Sequence, residues 1–139
     1  MNTRLALLLT VCVAAAVSQG STLTLRNNCA STIRVCSTYG GYVYDLAPGQ
    51  NKTDQPSGPY NECNSAQAEV TLNGYDNQDC YDISEVAYKL NGSPLTVYSS
   101  ATAATLTCES SPCADASQPG GTPKVTCVAG PTSVFVQWC

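Results

Sequence analysis

Two carboxylates on adjacent strand segments are the best candidates for chemistry in this sequence. Glu69 lies in the alternating run 68–73, and Asp82 lies in the β-type run that follows the turn signal Asn73-Gly74. Adjacent strands could direct both acids into one cleft. Glycoside hydrolysis needs such a pair, with one acid kept protonated by its surroundings. The alternative is that Glu69 is a solvated strand residue and Asp82 accepts backbone hydrogen bonds.

Tyrosine side chains are the second group of candidates, because an aromatic ring can stack on the apolar face of a sugar. The chain has eight tyrosines. Tyr60 and Tyr75 fall in predicted loops, where functional residues concentrate, so they are the first choices for ligand binding. Tyr42 and Tyr44 share one strand face. The alternative for each tyrosine is a half-buried strand position that serves packing alone.

The residue types that are absent or misplaced exclude several kinds of site. The chain has no histidine, so it can build neither a Ser-His-Asp triad nor a His-based zinc site. Asp76, Asn77, Asp79 and Asp82 cluster, but they lack EF-hand spacing and follow a turn signal, which favours turn chemistry over calcium. We therefore expect no metal and no cofactor. A net charge of −4 argues against nucleic acid and anionic membranes as partners.

Residues 1–20 have the layout of a secretory signal peptide. Arg4 precedes an apolar run over 5–17, and small residues allow cleavage after Gly20 or, as second choice, after Ser18. The run is too short to span a membrane. Cleavage removes Cys12 and leaves one domain, residues 21–139, with eight cysteines. This even number predicts a disulfide framework in a secreted, extracellular protein, which we expect to be a soluble monomer without a membrane span.

The elements that position the candidate residues are predicted to be short strands. Apolar and polar side chains alternate with a period of two in several segments, and turn signals separate them. No window keeps the spacing of an amphipathic helix for more than one turn. The pattern predicts an all-β domain, either a sandwich or a barrel. The candidate strands lie in residues 22–26, 32–36, 42–44, 68–73, 80–86, 95–98, 102–108, 125–127 and 134–138.

Several segments, taken together, resemble thaumatin-like proteins in the small form that lacks the disulfide-rich second domain. The resemblance covers most of residues 22–139 and is poor in 37–64. It implies a flattened, antiparallel β-sandwich of about ten strands, stapled by disulfides. The matching segments are Leu25-Arg26-Asn27-Asn28-Cys29 with Thr32-Ile33, Ala68-Glu69-Val70-Thr71-Leu72-Asn73, Tyr81-Asp82-Ile83-Ser84, Cys108-x4-Cys113-Ala114-Asp115, Val125-Thr126-Cys127 and Cys139.

The resemblance also implies part of the disulfide pairing. It pairs Cys29 with Cys139, which ties the two ends of the domain together, and it pairs Cys108 with Cys127. Four cysteines remain, and their two bonds stay open among three connectivities. These four are Cys36, Cys63, Cys80 and Cys113.

For function, the resemblance implies a role for the two acids. Glu69 and Asp82 match two members of the family's acidic cleft, which is linked to binding and weak cleavage of β-1,3-glucan. Ala87 stands where the family has another cleft acid. We therefore expect a secreted protein that binds cell-wall polysaccharide, β-1,3-glucan first, with a defence or antifungal role. The alternatives are a weak endo-β-1,3-glucanase that uses both acids and an extracellular inhibitor of wall-degrading enzymes.

One modification site is also predicted. Asn51 begins the sequon Asn51-Lys52-Thr53 in a predicted loop, so it is a candidate for N-glycosylation.

Overall fold

The computed structural model describes residues 20–37 and 41–139, so the predicted signal peptide, apart from Gly20, lies outside the described residues. Within these ranges the chain forms twelve strands and one 3₁₀ helix, Tyr75–Asn77. No helix among them is long and apolar enough to cross a membrane. The strands are β1 (Thr22–Asn27), β2 (Ile33–Ser37), β3 (Gly41–Leu46), β4 (Asn51–Lys52), β5 (Gly58–Glu62), β6 (Gln67–Thr71), β7 (Gln78–Ser84), β8 (Leu95–Ser99), β9 (Thr105–Cys108), β10 (Ala116–Ser117), β11 (Thr126–Ala129) and β12 (Ser133–Trp138).

The strands form two sheets. The first sheet has the order β4-β1-β12-β8-β9, and the second has the order β10-β7-β6-β5-β2-β3, with β11 also paired to β7. Most neighbouring strands are antiparallel, while β1 with β12 and β10 with β7 are parallel. The prediction of an all-β, disulfide-stapled antiparallel sandwich is confirmed in its architecture, although two strand pairs are parallel and the described residues form twelve strands rather than about ten.

The core lies between the sheets and is filled by alternate residues of the strands. In β12, Val134, Val136 and Trp138 are buried, whereas Phe135 and Gln137 between them are only half-buried. Successive side chains of a strand point to opposite faces, so one set enters the core and the other forms an outer face. Each sheet therefore presents one outer face on which a binding site can lie.

Disulfides join the chain ends and neighbouring strands. Cys29 bonds to Cys139, as the resemblance implied, and links the residues just after β1 to those just after β12. Cys36, in β2, bonds to Cys63, which follows β5, and β2 and β5 are paired. Both bonds join segments that the sheets already hold side by side, so they reinforce the strand order.

The expected bond between Cys108 and Cys127 is wrong. The antiparallel pairing of β7 with β11 places Cys80 directly opposite Cys127, and these two are bonded, with Cα atoms 4.1 Å apart. Cys108, at the end of β9, bonds instead to Cys113 in the following loop. The register of paired strands decides which thiols come within bonding distance. The pairing of β7 with β11 could not be predicted from the sequence.

Candidate functional site

Glu69 in β6 and Asp82 in β7 are direct cross-strand partners. Their neighbours Ala68 and Ile83 are also partners and are fully buried in the core. Since successive side chains alternate between faces, the two acids lie together on the outer face of the second sheet. Directly opposed residues of an antiparallel pair have Cβ atoms about 4.5–5.5 Å apart, so the two carboxyl groups interact.

Asp82 is shielded from solvent although it lies on the outer face. It is 6% exposed, and its Oδ2 accepts a 2.9 Å hydrogen bond from the hydroxyl of Ser117 in β10, which pairs with β7. Burial raises the pKa of Asp82, the Ser117 hydrogen bond lowers it and the charge of Glu69 raises it, with a net value of about 6. Asp82 therefore takes up a proton in mildly acidic solution.

Glu69 is the exposed member of the pair. Its Oε1 accepts a hydrogen bond from the side-chain amide of Gln67, which lies two residues away on the same face of β6. Glu69 also lines an open depression of about 270 Å³. Small-molecule sites usually enclose about 300–1,000 Å³, so this is a shallow surface site rather than a deep pocket. Its other lining residues are uncharged: Ser57, Gly58, Pro59, Val70 and Thr71.

No family model matches this chain, and no curated protein matches its sequence. Solved structures do match its fold. The protein elicitor MoHrip2 from Magnaporthe oryzae aligns with a TM-score of 0.65 and 18% identity, over 86% of this chain and 98% of its own. The thaumatin-like xylanase inhibitor TLXI aligns with a TM-score of 0.60 and 16% identity, over 84% of this chain and 98% of its own. The chain has a thaumatin-like fold. Likeness at this level of identity establishes the architecture and not a shared activity.

The acidic pair of this thaumatin-like sheet is better suited to hydrogen bonding than to bond cleavage. Hydrolysis of a glycoside needs two carboxyl groups that flank the scissile bond and can both reach it. The raised pKa of Asp82 meets the requirement for one protonated acid, but its carboxyl group is shielded by its surroundings, so it does not meet the requirement of access to a ligand. Glu69 remains open to solvent and can accept hydrogen bonds from a ligand. The geometry therefore favours a binding surface for hydroxyl-bearing ligands.

The two predicted tyrosines have opposite environments in the thaumatin-like fold. Tyr60 lies in β5, not in a loop, and is 5% exposed with its hydroxyl donating to the carbonyl of Pro56 at 2.9 Å. Burial raises the pKa of its hydroxyl. Tyr75 is 90% exposed in the turn between β6 and β7. Of these two, Tyr75 has a ring open to solvent for stacking and Tyr60 does not, so Tyr60 does not belong to the candidate site.

Asn51 lies in the edge strand β4 of the first sheet and not in a loop. It is exposed and opposite Arg26 of β1. An attached glycan would therefore extend from the other sheet of the sandwich and leave the face with Glu69 and Asp82 uncovered.

The acidic and sulfur groups do not converge on a cation. Asp79 is fully buried and accepts two backbone N–H hydrogen bonds, whereas Asp82, three residues further along β7, lies on the outer face. Glu85, Cys108 and Cys113 place ligand-type atoms within 4.8 Å of one another, but both cysteines are in a disulfide. A disulfide sulfur is not the thiolate that metals require. In the described residues, Asp79 and Glu85 serve the loops and the fold.

Glu85, immediately after β7, is a buried acid that the sequence did not single out. It is 2% exposed and accepts hydrogen bonds from the backbone N–H groups of Leu90 and Cys113, both at 2.8 Å, and from the side chain of Gln118 at 2.7 Å. Burial alone would raise its pKa, but these bonds and one from the Ser111 side chain lower it to about 2. Glu85 therefore stays ionised and holds two loops against the second sheet.

Two further residues of the site were also missed. Gln67 precedes Glu69 by two positions, so the period-two alternation of β6 was a sufficient signal for placing it on the same face. Ser117 lies in residues 109–123, whose Ser, Pro and Gly content favours a loop. Only the parallel pairing of its strand β10 with β7 places its hydroxyl beside Asp82. No local pattern could have identified Ser117.

Proposed function

We propose that this protein is a secreted, non-catalytic binding protein for cell-wall polysaccharide, with β-1,3-glucan as the first candidate ligand and a defence or antifungal role. The observation that carries the proposal lies on the outer face of the second sheet, where the exposed Glu69 is the cross-strand partner of Asp82 and lines a shallow depression. The four disulfides fit a protein that folds in an oxidising, extracellular setting.

The chemistry of this face favours a neutral, hydroxyl-rich ligand. Carboxylate oxygens accept hydrogen bonds from hydroxyl groups, and such charge-assisted bonds are stronger than neutral ones. The net charge of −4 repels acidic polymers. The depression beside Glu69 is open and shallow, as a site for one unit of a long chain must be, because the chain has to enter and leave on both sides.

Retention on insoluble β-1,3-glucan tests the proposal. We expect the wild-type protein to sediment with the polymer and Glu69→Gln to lose most of this retention, because one strong acceptor is removed from the exposed part of the site. Glu109→Gln is the matched control, since Glu109 is an exposed acid outside this face. Equal retention of wild type and Glu69→Gln would contradict the assignment of the site.

Release of reducing sugar separates binding from cleavage. We expect none from laminarin above a blank incubated without protein. Release by the wild type that is abolished in Glu69→Gln would instead support the weak glucanase and overturn the non-catalytic proposal.

A protein partner is the second candidate, because one structure with this fold is described as a xylanase inhibitor. Several large apolar side chains are also exposed, namely Tyr42, Val43, Tyr75, Val86, Tyr88 and Val125. Inhibition assays against xylanases and glucanases test this function. Inhibition that survives Glu69→Gln, together with no retention on glucan, would favour the inhibitor.

A further inference from the structure

A second pocket, of about 180 Å³, lies on the outer face of the second sheet. It is lined by Asn61 of β5, Asn64, Tyr88 and the disulfide-bonded Cys36 and Cys63, together with Ser37 and Gly41. We call it the Tyr88 pocket. It is separate from the depression beside Glu69, and the two share no lining residue.

The strand register places the two sites side by side. Pro59, which lines the depression, pairs with Glu69, and Asn61, which lines the Tyr88 pocket, pairs with Gln67. Pro59 and Asn61 are two residues apart on β5 and so point to the same face about 7 Å apart. Gln67 lies between the two sites in the strand register, since it pairs with Asn61 and its amide donates to Glu69. One extended ligand can therefore cover both.

The lining of the Tyr88 pocket fits an uncharged ligand with hydroxyl groups and an apolar face. Among the described residues, none of those that line it carries a charge. Tyr88 is 42% exposed, so its ring can stack on a flat apolar surface. Asn61 is 2% exposed, and its Oδ1 has no hydrogen-bond partner among the described residues. A buried acceptor without a donor is unfavourable, and a ligand hydroxyl in the pocket would supply one.

We propose that the Tyr88 pocket is a second subsite for the same polysaccharide, with Tyr88 as its stacking platform and Asn61 as its polar contact. This inference rests on the proposed function. A neighbouring sugar unit of the chain held at Glu69 occupies the pocket, so affinity increases with the length of the oligosaccharide. The disulfide between Cys36 and Cys63 fixes one wall of the subsite before the ligand arrives, which lowers the entropy cost of binding.

Calorimetric titration with a β-1,3-linked disaccharide and a hexasaccharide tests this subsite. We expect the wild type to bind the hexasaccharide more tightly and Tyr88→Ala to weaken hexasaccharide binding roughly tenfold, the value of one lost stacking contact. Tyr88→Phe should keep the wild-type affinity, because it keeps the ring. Val86→Ala is the matched control, since Val86 is an exposed side chain nearby that lines neither site.

The outcomes separate the two proposals. Hexasaccharide binding by Tyr88→Ala within twofold of the wild type overturns the subsite and leaves the binding function in place. A loss in Val86→Ala equal to that in Tyr88→Ala also overturns it, because the effect would then belong to the loop and not to the ring. Absence of binding of either oligosaccharide by the wild type overturns the proposed function and the subsite together.

Discussion

Asp82 and Glu85 are two buried acids only three positions apart, and their surroundings differ sharply. Asp82 has one side-chain donor, Ser117, and a negatively charged neighbour, Glu69, and its pKa rises to about 6. Glu85 has two backbone and two side-chain donors, and its pKa falls to about 2. Burial acts in the same direction on both acids, and the additional donors of Glu85 oppose it, whereas the charge of Glu69 adds to it at Asp82.

The difference separates an acid whose hydrogen-bonding capacity is filled from one whose capacity is not. Glu85 has its acceptor capacity filled by the protein's own loops, so it stabilises the fold and offers nothing to a ligand. Asp82 has unused acceptor capacity and weakens the fold when it is ionised. Adjacent residues of one segment serve both acids, since Ser117 donates to Asp82 and Gln118 donates to Glu85. A residue kept at a cost to stability is a better candidate for function than a saturated one.

The largest expected effect is a loss of stability when Glu85 is replaced. Glu85→Gln replaces a carboxylate that accepts several hydrogen bonds with an amide whose NH₂ group faces donors. We expect the free energy of unfolding at neutral pH to fall by about 3 kcal/mol, because hydrogen bonds to a charged group are strong and two loops lose their attachment. Urea denaturation measures this loss. Glu109→Gln should change the free energy by less than about 0.5 kcal/mol, and an equal change in both variants would refute a structural role for Glu85.

The pH dependence of stability should carry opposite contributions from the two acids. The pKa of Glu85 is lower in the folded state than its ordinary value of 4.5, so its contribution is complete above that value and disappears as the pH falls towards 2. The pKa of Asp82 is raised from 3.8 to about 6, so the folded state binds the proton more tightly than the unfolded chain. Stability therefore falls as the pH rises through that interval.

Asp82→Asn isolates the contribution of Asp82 to the pH dependence of stability. Relative to the wild type, we expect the variant to gain about 2 kcal/mol in unfolding free energy between pH 4 and pH 7, less than the full shift implies because solvent partly screens the outer face. Urea denaturation of both proteins across this range gives the difference. A difference that stays constant with pH would show that the pKa of Asp82 is not raised in the folded state.

The sequence was sufficient for features that depend on local alternation and insufficient for those that depend on register. The period-two pattern of β6 and β7 put Glu69 and Asp82 on strands, and the pairing of the two strands placed them on one face. The bond between Cys80 and Cys127 depends on β11 pairing with β7, a contact between segments far apart in the chain. Glu85 is buried by loops that fold over it from residues 90 to 118, which no local pattern reveals.

The smallest expected effect tests whether the two acids of the site act on each other. Glu69→Gln removes a negative charge beside Asp82, so the pKa of Asp82 should fall slightly from about 6, because burial, the main cause of the rise, remains. Carbon-detected NMR titration of the Asp82 carboxyl group follows this change. Glu109→Gln should leave the titration unchanged. An unchanged pKa in Glu69→Gln as well would mean that the carboxyl groups point apart, and a ligand could then engage Glu69 without sensing the protonation of Asp82.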